Sequence, residues 1–160
     1  MARIVKGRFT IYQELHGLLR SDNKRPDGLT LIPWCDGRCA TWDVTVTDTV
    51  APSYLRITSA CAASAAEAAA ERKEKKYYEI ACNYHFFPIT FDTFGPVNQV
   101  GTDFISALGH RISSNTDDPR ETFSLFQRLS DAIQRFNAVC FANSFGNIDV
   151  EVRCSQPRHT

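Results

Sequence analysis

A chain of 160 residues with 43% hydrophobic and 22% charged residues has enough apolar material for one packed domain, which excludes an intrinsically disordered chain. No apolar run approaches the roughly 18 residues of a membrane span. The start, MARIVKGRFTIYQELHG, lacks the apolar stretch and small-residue cleavage site of a secretory signal, so a soluble intracellular protein is expected. Its 18 Lys and Arg balance 18 Asp and Glu, so any contact with nucleic acid must rest on a local patch, not on a general basic excess.

The basic residues do cluster at the start. Residues 1–26 hold Arg3, Lys6, Arg8, Arg20, Lys24 and Arg25 against Glu14 and Asp22, six minus two or +4. An ordinary solvated face accounts for that charge as readily as a binding patch does. Within this stretch Thr10–Leu19 reads as a short helix. Thr10 and Gln13 form a capping box, and Ile11, Leu15, Leu18 and Leu19 make the apolar stripe.

Leu29–Trp34 and Ala40–Thr47 read as two strands joined across Cys35-Asp36-Gly37-Arg38, because Asp-Gly between extended runs favours a hairpin. In the second strand Trp42, Val44 and Val46 alternate with Thr41, Asp43, Thr45 and Thr47, which predicts one packing face and one polar face. Ser64–Ala81 is a strong helix by propensity: it carries an alanine run and then alternating Glu and Lys or Arg, with Glu71 and Lys75 four apart. Phe86–Thr93 is an apolar strand whose Pro88 suggests a sheet edge or a strand start, and Phe94-Gly95-Pro96 turns the chain. Thr102–Ser113 is a further helix. Pro119 fits the first turn of another, with Phe126, Leu129, Ile133, Phe136 and Cys140 as a core stripe. Ile148–Val152 reads as a short strand before a frayed tail. The pattern predicts one domain, with a core of about residues 10–145, and a small mixed β-sheet flanked by helices: an α/β (α+β) class.

The six cysteines, at 35, 39, 61, 82, 140 and 154, read as free thiols in a reducing compartment. Cys35 and Cys39 form a loose C-x3-C, but no second pair follows at zinc-finger spacing. His85, close to Cys82, reads as a core or edge residue. His16 and His110 sit on helices among apolar neighbours, and His159 lies in the tail.

Three short runs carry chemistry together. Asp27, in Arg25-Pro26-Asp27-Gly28, opens the first strand of the hairpin, and Asp43 lies on the polar face of the second, so pairing brings two carboxylates together. Such a pair repels unless a cation intervenes, and a hard divalent ion such as Mg²⁺ suits oxygen donors. Lys73 and Lys76 lie three apart on one face of the following helix, with Tyr77 beside them. An acidic pair with a nearby lysine is what metal-assisted phosphodiester hydrolysis needs. Each run alone has an ordinary reading: a turn, a solvated strand face, a solvated helix.

In this order KRPDG, WDVTV and RKEKKYYE resemble the PD-(D/E)XK, restriction-endonuclease-like fold. More narrowly they resemble the endonuclease domain at the C-terminal end of site-specific non-LTR retrotransposon reverse transcriptases. The resemblance covers roughly residues 10–112. Pro26-Asp27 matches its first motif, Asp43 the acidic residue of the next strand, and Lys73-Glu74-Lys75-Lys76-Tyr77 a lysine motif displaced to a helix. Thr45 stands where the standard motif keeps its lysine.

The resemblance implies metal-dependent DNA cleavage with Asp27, Asp43, Lys73 and Lys76 as catalytic residues. It implies Mg²⁺ or Mn²⁺ held by Asp27, Asp43 and the Val44 carbonyl, with Glu14 as a further acidic ligand. It also implies nucleic-acid contacts from Lys24, Arg25, Arg72, Lys75 and Tyr77, and a nuclear location. DNA is the expected partner; RNA or a reverse transcriptase domain of a parent element are further ones. The alanine-rich stretch sets the lysines 30 and 33 residues beyond Asp43 (73 − 43 and 76 − 43), a long gap for the motif. Nothing upstream resembles a polymerase or the zinc knuckle expected before the domain, so a detached fragment or a stand-alone descendant is implied. The rival reading is a binding or interaction remnant that keeps the fold and has lost catalysis.

Overall fold

A computed structural model describes residues 3–6, 9–13 and 25–144, with the two N-terminal segments and Ile57 as backbone only. The strands are β1 (Arg3–Lys6), β2 (Phe9–Gln13), β3 (Gly28–Thr30), β4 (Ala40–Thr47) and β5 (His85–Asp92). They form one mixed sheet in chain order, antiparallel from β1 to β4 and parallel between β4 and β5. The helices are α1 (Leu55–Thr58), α2 (Ser64–Lys76), α3 (Tyr78–Ala81), α4 (Gln99–Thr116) and α5 (Glu121–Ser144). The class is α+β. Among the described residues no helix is long and apolar enough to cross a membrane.

The expected helix at Thr10–Leu19 is overturned over its first part, which is strand β2 paired to both β1 and β3. Phe9-Thr10-Ile11-Tyr12 is aromatic and β-branched, and the free edge of β3 rewards extension more than a capping box rewards one helical turn. Residues 14–19 lie outside the described residues, as does the strand expected at Ile148–Val152. The strand expected over Leu29–Trp34 stops at Thr30. Pro33 has no N–H to give a ladder, and Leu31 and Ile32 are exposed. The hairpin turn itself stands: Cys35 bridges Arg38, with Asp36 (φ 46°) and Gly37 (φ 70°) both left-handed, as a tight two-residue loop requires.

The two faces of β4 depart from expectation. The polar side is the buried one, with Asp43 4% exposed and Thr41 fully covered, while Val44 and Val46 stand 44% and 52% exposed. The cause is α2. Its Ala65, Ala66, Ala69 and Ala70 are buried, and side chains that small let the helix backbone come close enough for Thr90 Oγ1 to donate to the Ala66 carbonyl at 2.7 Å. The two buried threonines of this face spend their hydroxyls on backbone, Thr41 on Gly28 at 2.8 Å and Thr47 on Phe91 at 3.2 Å, so burial leaves them satisfied.

On the other face Trp34, Ala40, Ile89, Phe91, Phe104, Ile105 and Ile133 form the core under α4 and α5. Phe104 is its hub, with its ring centroid 4.5 Å from Phe87, 5.0 Å from Trp34 and 5.9 Å from Trp42. Trp42 lies across Gly28, where a Cβ would meet the indole at 2.2 Å. Only glycine fits there, so the Gly of Pro-Asp-Gly serves packing.

Strand β5 is the sheet edge that Pro88 suggested. In the parallel register Asp43 faces Pro88, and the His85 amide bonds the Cys39 carbonyl. The odd residues of β5 therefore serve the ladder, and the missing Pro88 N–H points outward. That outer edge is closed by buried Asn98. Its Oδ1 accepts from Thr90 N–H at 2.9 Å and its Nδ2 donates to the Pro88 carbonyl at 3.0 Å. An edge so covered offers no template for another strand.

Helices α4 and α5 meet closely where Gly109, inside α4, lies against Thr122 in the first turn of α5. The stripe expected on α5 holds only in part. Ile133 is buried and Phe126 and Leu129 pack on the core, but Phe136 and Cys140 are exposed. The reason is length: α5 has 24 residues against 18 in α4, and its Asn137 already reaches back to the Thr93 carbonyl before α4 begins.

Asp92, 2% exposed, ends β5 beneath the start of α2. One oxygen of its carboxylate meets the backbone at Ala66 and Ala63, where no side chain of the helix provides a cap, and Oδ1 is buried without a hydrogen-bond partner. Desolvation outweighs those bonds and raises its pKa above the ordinary carboxylate value. The folded state therefore holds this proton more tightly than the unfolded chain does. The stability contributed is fully present below the unfolded pKa and is lost as pH rises through the raised folded one. Denaturant midpoints measured across the acidic range are expected to show that decline at this site, and Asp92→Asn is expected to remove it. An unchanged pH profile in the variant would assign the decline to other groups.

Candidate functional site

The lysines reach Asp43 because α2 runs back along the sheet. Asp92 meets the backbone at Ala63 and Ala66, Thr90 meets Ala66, and Lys73 meets Asp43. As α2 advances it moves toward the starts of β4 and β5. The 30-residue gap is thus the exit from β4, the short α1 and about two alanine-lined turns of helix, which bring the last turn over Asp43.

Asp43, Lys73, Lys76, Tyr77 and the Arg25 carbonyl are joined in one group, and Asp27 is tied to the residues on either side of Asp43. Lys73 Nζ pairs with Asp43 Oδ2. The Tyr77 hydroxyl lies 2.8 Å from both Asp43 Oδ1 and the Arg25 carbonyl, and has one proton to give to these two acceptors. Lys76 Nζ donates to the same hydroxyl at 3.0 Å and sits 4.6 Å from the Tyr77 ring centre. Just before β3 the Asp27 amide donates to the Trp42 carbonyl at 2.9 Å, and Asp27 Oδ2 accepts from the Val44 amide at 2.6 Å. Asp27 is exposed and Asp43 is buried. The Val44 carbonyl faces the same strand edge as its own amide, and β3 ends its pairing at Gly28, so this carbonyl opens toward the side where Asp27 stands.

Tyr77 was expected to touch nucleic acid, but it is fully buried. Its ring packs 4.9 Å from Phe86 and its hydroxyl works from beneath, so it positions the site and presents no surface. The aromatic-next-to-lysine pattern cannot distinguish these roles. Arg25 and Lys75 are exposed. Arg72 is exposed but engaged, its guanidinium bonded to the Tyr54 hydroxyl and 5.3 Å from that ring. Thr45 is half-buried on the Asp43 face, and the ammonium that pairs with Asp43 comes from Lys73 on the helix. Glu14 and Lys24 lie outside the described residues.

His85 lies against Cys35, not Cys82: Cys35 Sγ is 3.1 Å from His85 Nε2, while Cys82 Sγ turns to the Tyr78 carbonyl. The five described cysteines are free thiols. Compared with family models, curated proteins and solved structures, the chain matches none.

Proposed function

We propose that this chain is a Mg²⁺-dependent DNA endonuclease with a restriction-endonuclease-like core, related to the nuclease domains of non-LTR retroelements. The observation that carries the reading is the convergence of Asp27, Asp43, Lys73, Lys76 and Tyr77, drawn from the approach to β3, from β4 and from the end of α2, about the β3–β4 step of the sheet. A buried ion pair adds little net stability over an apolar pair of the same volume. Chemistry accounts better for Asp43 and Lys73 beside an exposed second carboxylate.

The donor set fits a hard divalent cation, since Asp27, Asp43 and the Val44 carbonyl are all oxygen donors. Each Asp43 oxygen keeps a lone pair beyond its present bond. A bound Mg²⁺ or Mn²⁺ supplies charge neutralisation at the phosphate and acidified water. The protein's part is placement. Val44 N–H holds Asp27, and Lys73 and Tyr77 hold Asp43. Lys73 also offsets the second negative charge, and exposed Lys76 offers an ammonium to the phosphate being cut. Water forms a new P–O bond and gives up a proton to the solvent, the P–O bond to the departing oxygen breaks, and that oxygen takes a proton from the solvent, so the net change is the addition of one water. Arg25 and Lys75 supply backbone contacts, to be weakened by salt.

The rival, binding without cleavage, draws on one observation: both Asp43 oxygens already have protein partners and the carboxylate is nearly sealed. Supercoiled plasmid separates the two. Wild type is expected to nick it with Mg²⁺ or Mn²⁺, and Lys76→Ala to lose that activity while still binding DNA. A folded wild type that binds DNA in a salt-dependent way and never nicks it supports the rival.

A further inference from the structure

A second cluster of metal-binding residue types lies at the very start of the β4–β5 pair, three ladder positions before Asp43 and sharing no residue with the carboxylate site. One ligand atom each from Cys35, Asp36 and His85 lie within 4.8 Å of one another. Cys35 Sγ and His85 Nε2 are 3.1 Å apart. Donors around a tetrahedral zinc stand roughly 3.3–3.8 Å apart, given bonds of about 2.0–2.3 Å, so only a small opening of this pair is needed. Thiolate, imidazole and carboxylate are all ligand types of zinc, and the thiolate and imidazole are poor for Mg²⁺.

The backbone carrying the three residues is fixed from both sides. Cys35 and Asp36 ride the tight turn closed by the Cys35–Arg38 bridge. His85 begins β5, with its amide bonded to the Cys39 carbonyl at 2.9 Å. Arg38 is a cation in direct contact with the cluster. Its NH2 nitrogen is 3.4 Å from His85 Nδ1, at the outer limit of a hydrogen bond. Being exposed, Arg38 can turn to solvent when Nδ1 takes the proton and Nε2 the metal. Cys35 and Asp36 are exposed and His85 is half-buried, so the site is open to the medium and its fourth position falls to water.

We infer that Cys35, Asp36 and His85 form a three-ligand site for zinc or a divalent cation of similar affinity for sulfur, tying the hairpin tip to the start of β5. Neither the C-x3-C spacing nor the nearness of His85 to Cys82 pointed to it, since residue 85 meets residue 35 only through the parallel pairing of β4 with β5.

Cobalt(II) titration of the full chain under reducing conditions tests this apart from any nuclease activity. The wild type is expected to take up one equivalent with a thiolate-to-cobalt charge-transfer band, which zinc then abolishes. Cys35→Ser is expected to lose the band, and His85→Ala and Asp36→Asn to bind at least about tenfold more weakly. Zinc is expected to raise the melting midpoint of wild type but not of Cys35→Ser, with all four proteins alike in metal-free circular dichroism. No charge-transfer band in the folded wild type, or one that survives in Cys35→Ser, overturns the assignment.

Discussion

Asp43→Ala is expected to cost about 3–5 kcal/mol of stability, the range for removing one partner of a buried ion pair. The lost carboxylate strands the Lys73 ammonium, 23% exposed, and takes away the Tyr77 hydroxyl's charged acceptor. Urea unfolding measures this, and a cost below about 1 kcal/mol would mean that Lys73 escapes to solvent. Asp43→Asn separates chemistry from folding, because it keeps the shape and one acceptor oxygen. It is expected to stay folded and to lower metal-dependent nicking by about 10²–10³-fold, the scale for removing a key electrostatic group. Wild-type nicking by Asp43→Asn would remove Asp43 from the proposed site.

Tyr77→Phe carries the second large effect. The ring keeps its contact with Phe86, but the Arg25 carbonyl, Asp43 Oδ1 and Lys76 Nζ lose the hydroxyl they share. A loss of about 1–3 kcal/mol is expected for partners left partly unsatisfied under cover. For the proposed reaction kcat is expected to fall by up to about 10²-fold with KM little changed, because a small misplacement of Asp43 and Lys76 disturbs alignment more than DNA binding. A raised KM with unchanged kcat would return Tyr77 to a binding role. Lys76→Ala, which keeps the Tyr77–Asp43 bond, gives the matching control.

The parts of this protein legible in the sequence are those governed by local chemistry. Ala40–Thr47 is a strand because apolar and polar residues alternate along it, many of them β-branched, and Asp36-Gly37 is a tight turn because these two residues tolerate the left-handed backbone it requires. Ser64–Lys76 is a helix because alanine and long charged side chains favour one. The candidate residues Asp27, Asp43, Lys73 and Lys76 were legible too, as residue types in an order. Tertiary structure decided the rest. The alanines of α2 made the polar side of β4 the covered side, since a helix that slim can bury threonines whose hydroxyls reach backbone. The run of α2 back along the sheet turned a gap of 30 residues into contact between Lys73 and Asp43. Burial made Tyr77 a support, and the free edge of β3 drew Phe9–Gln13 into a strand against its capping signal. These outcomes depend on which surface lies opposite, and the energy of a long-range contact is written in neither of its partners alone.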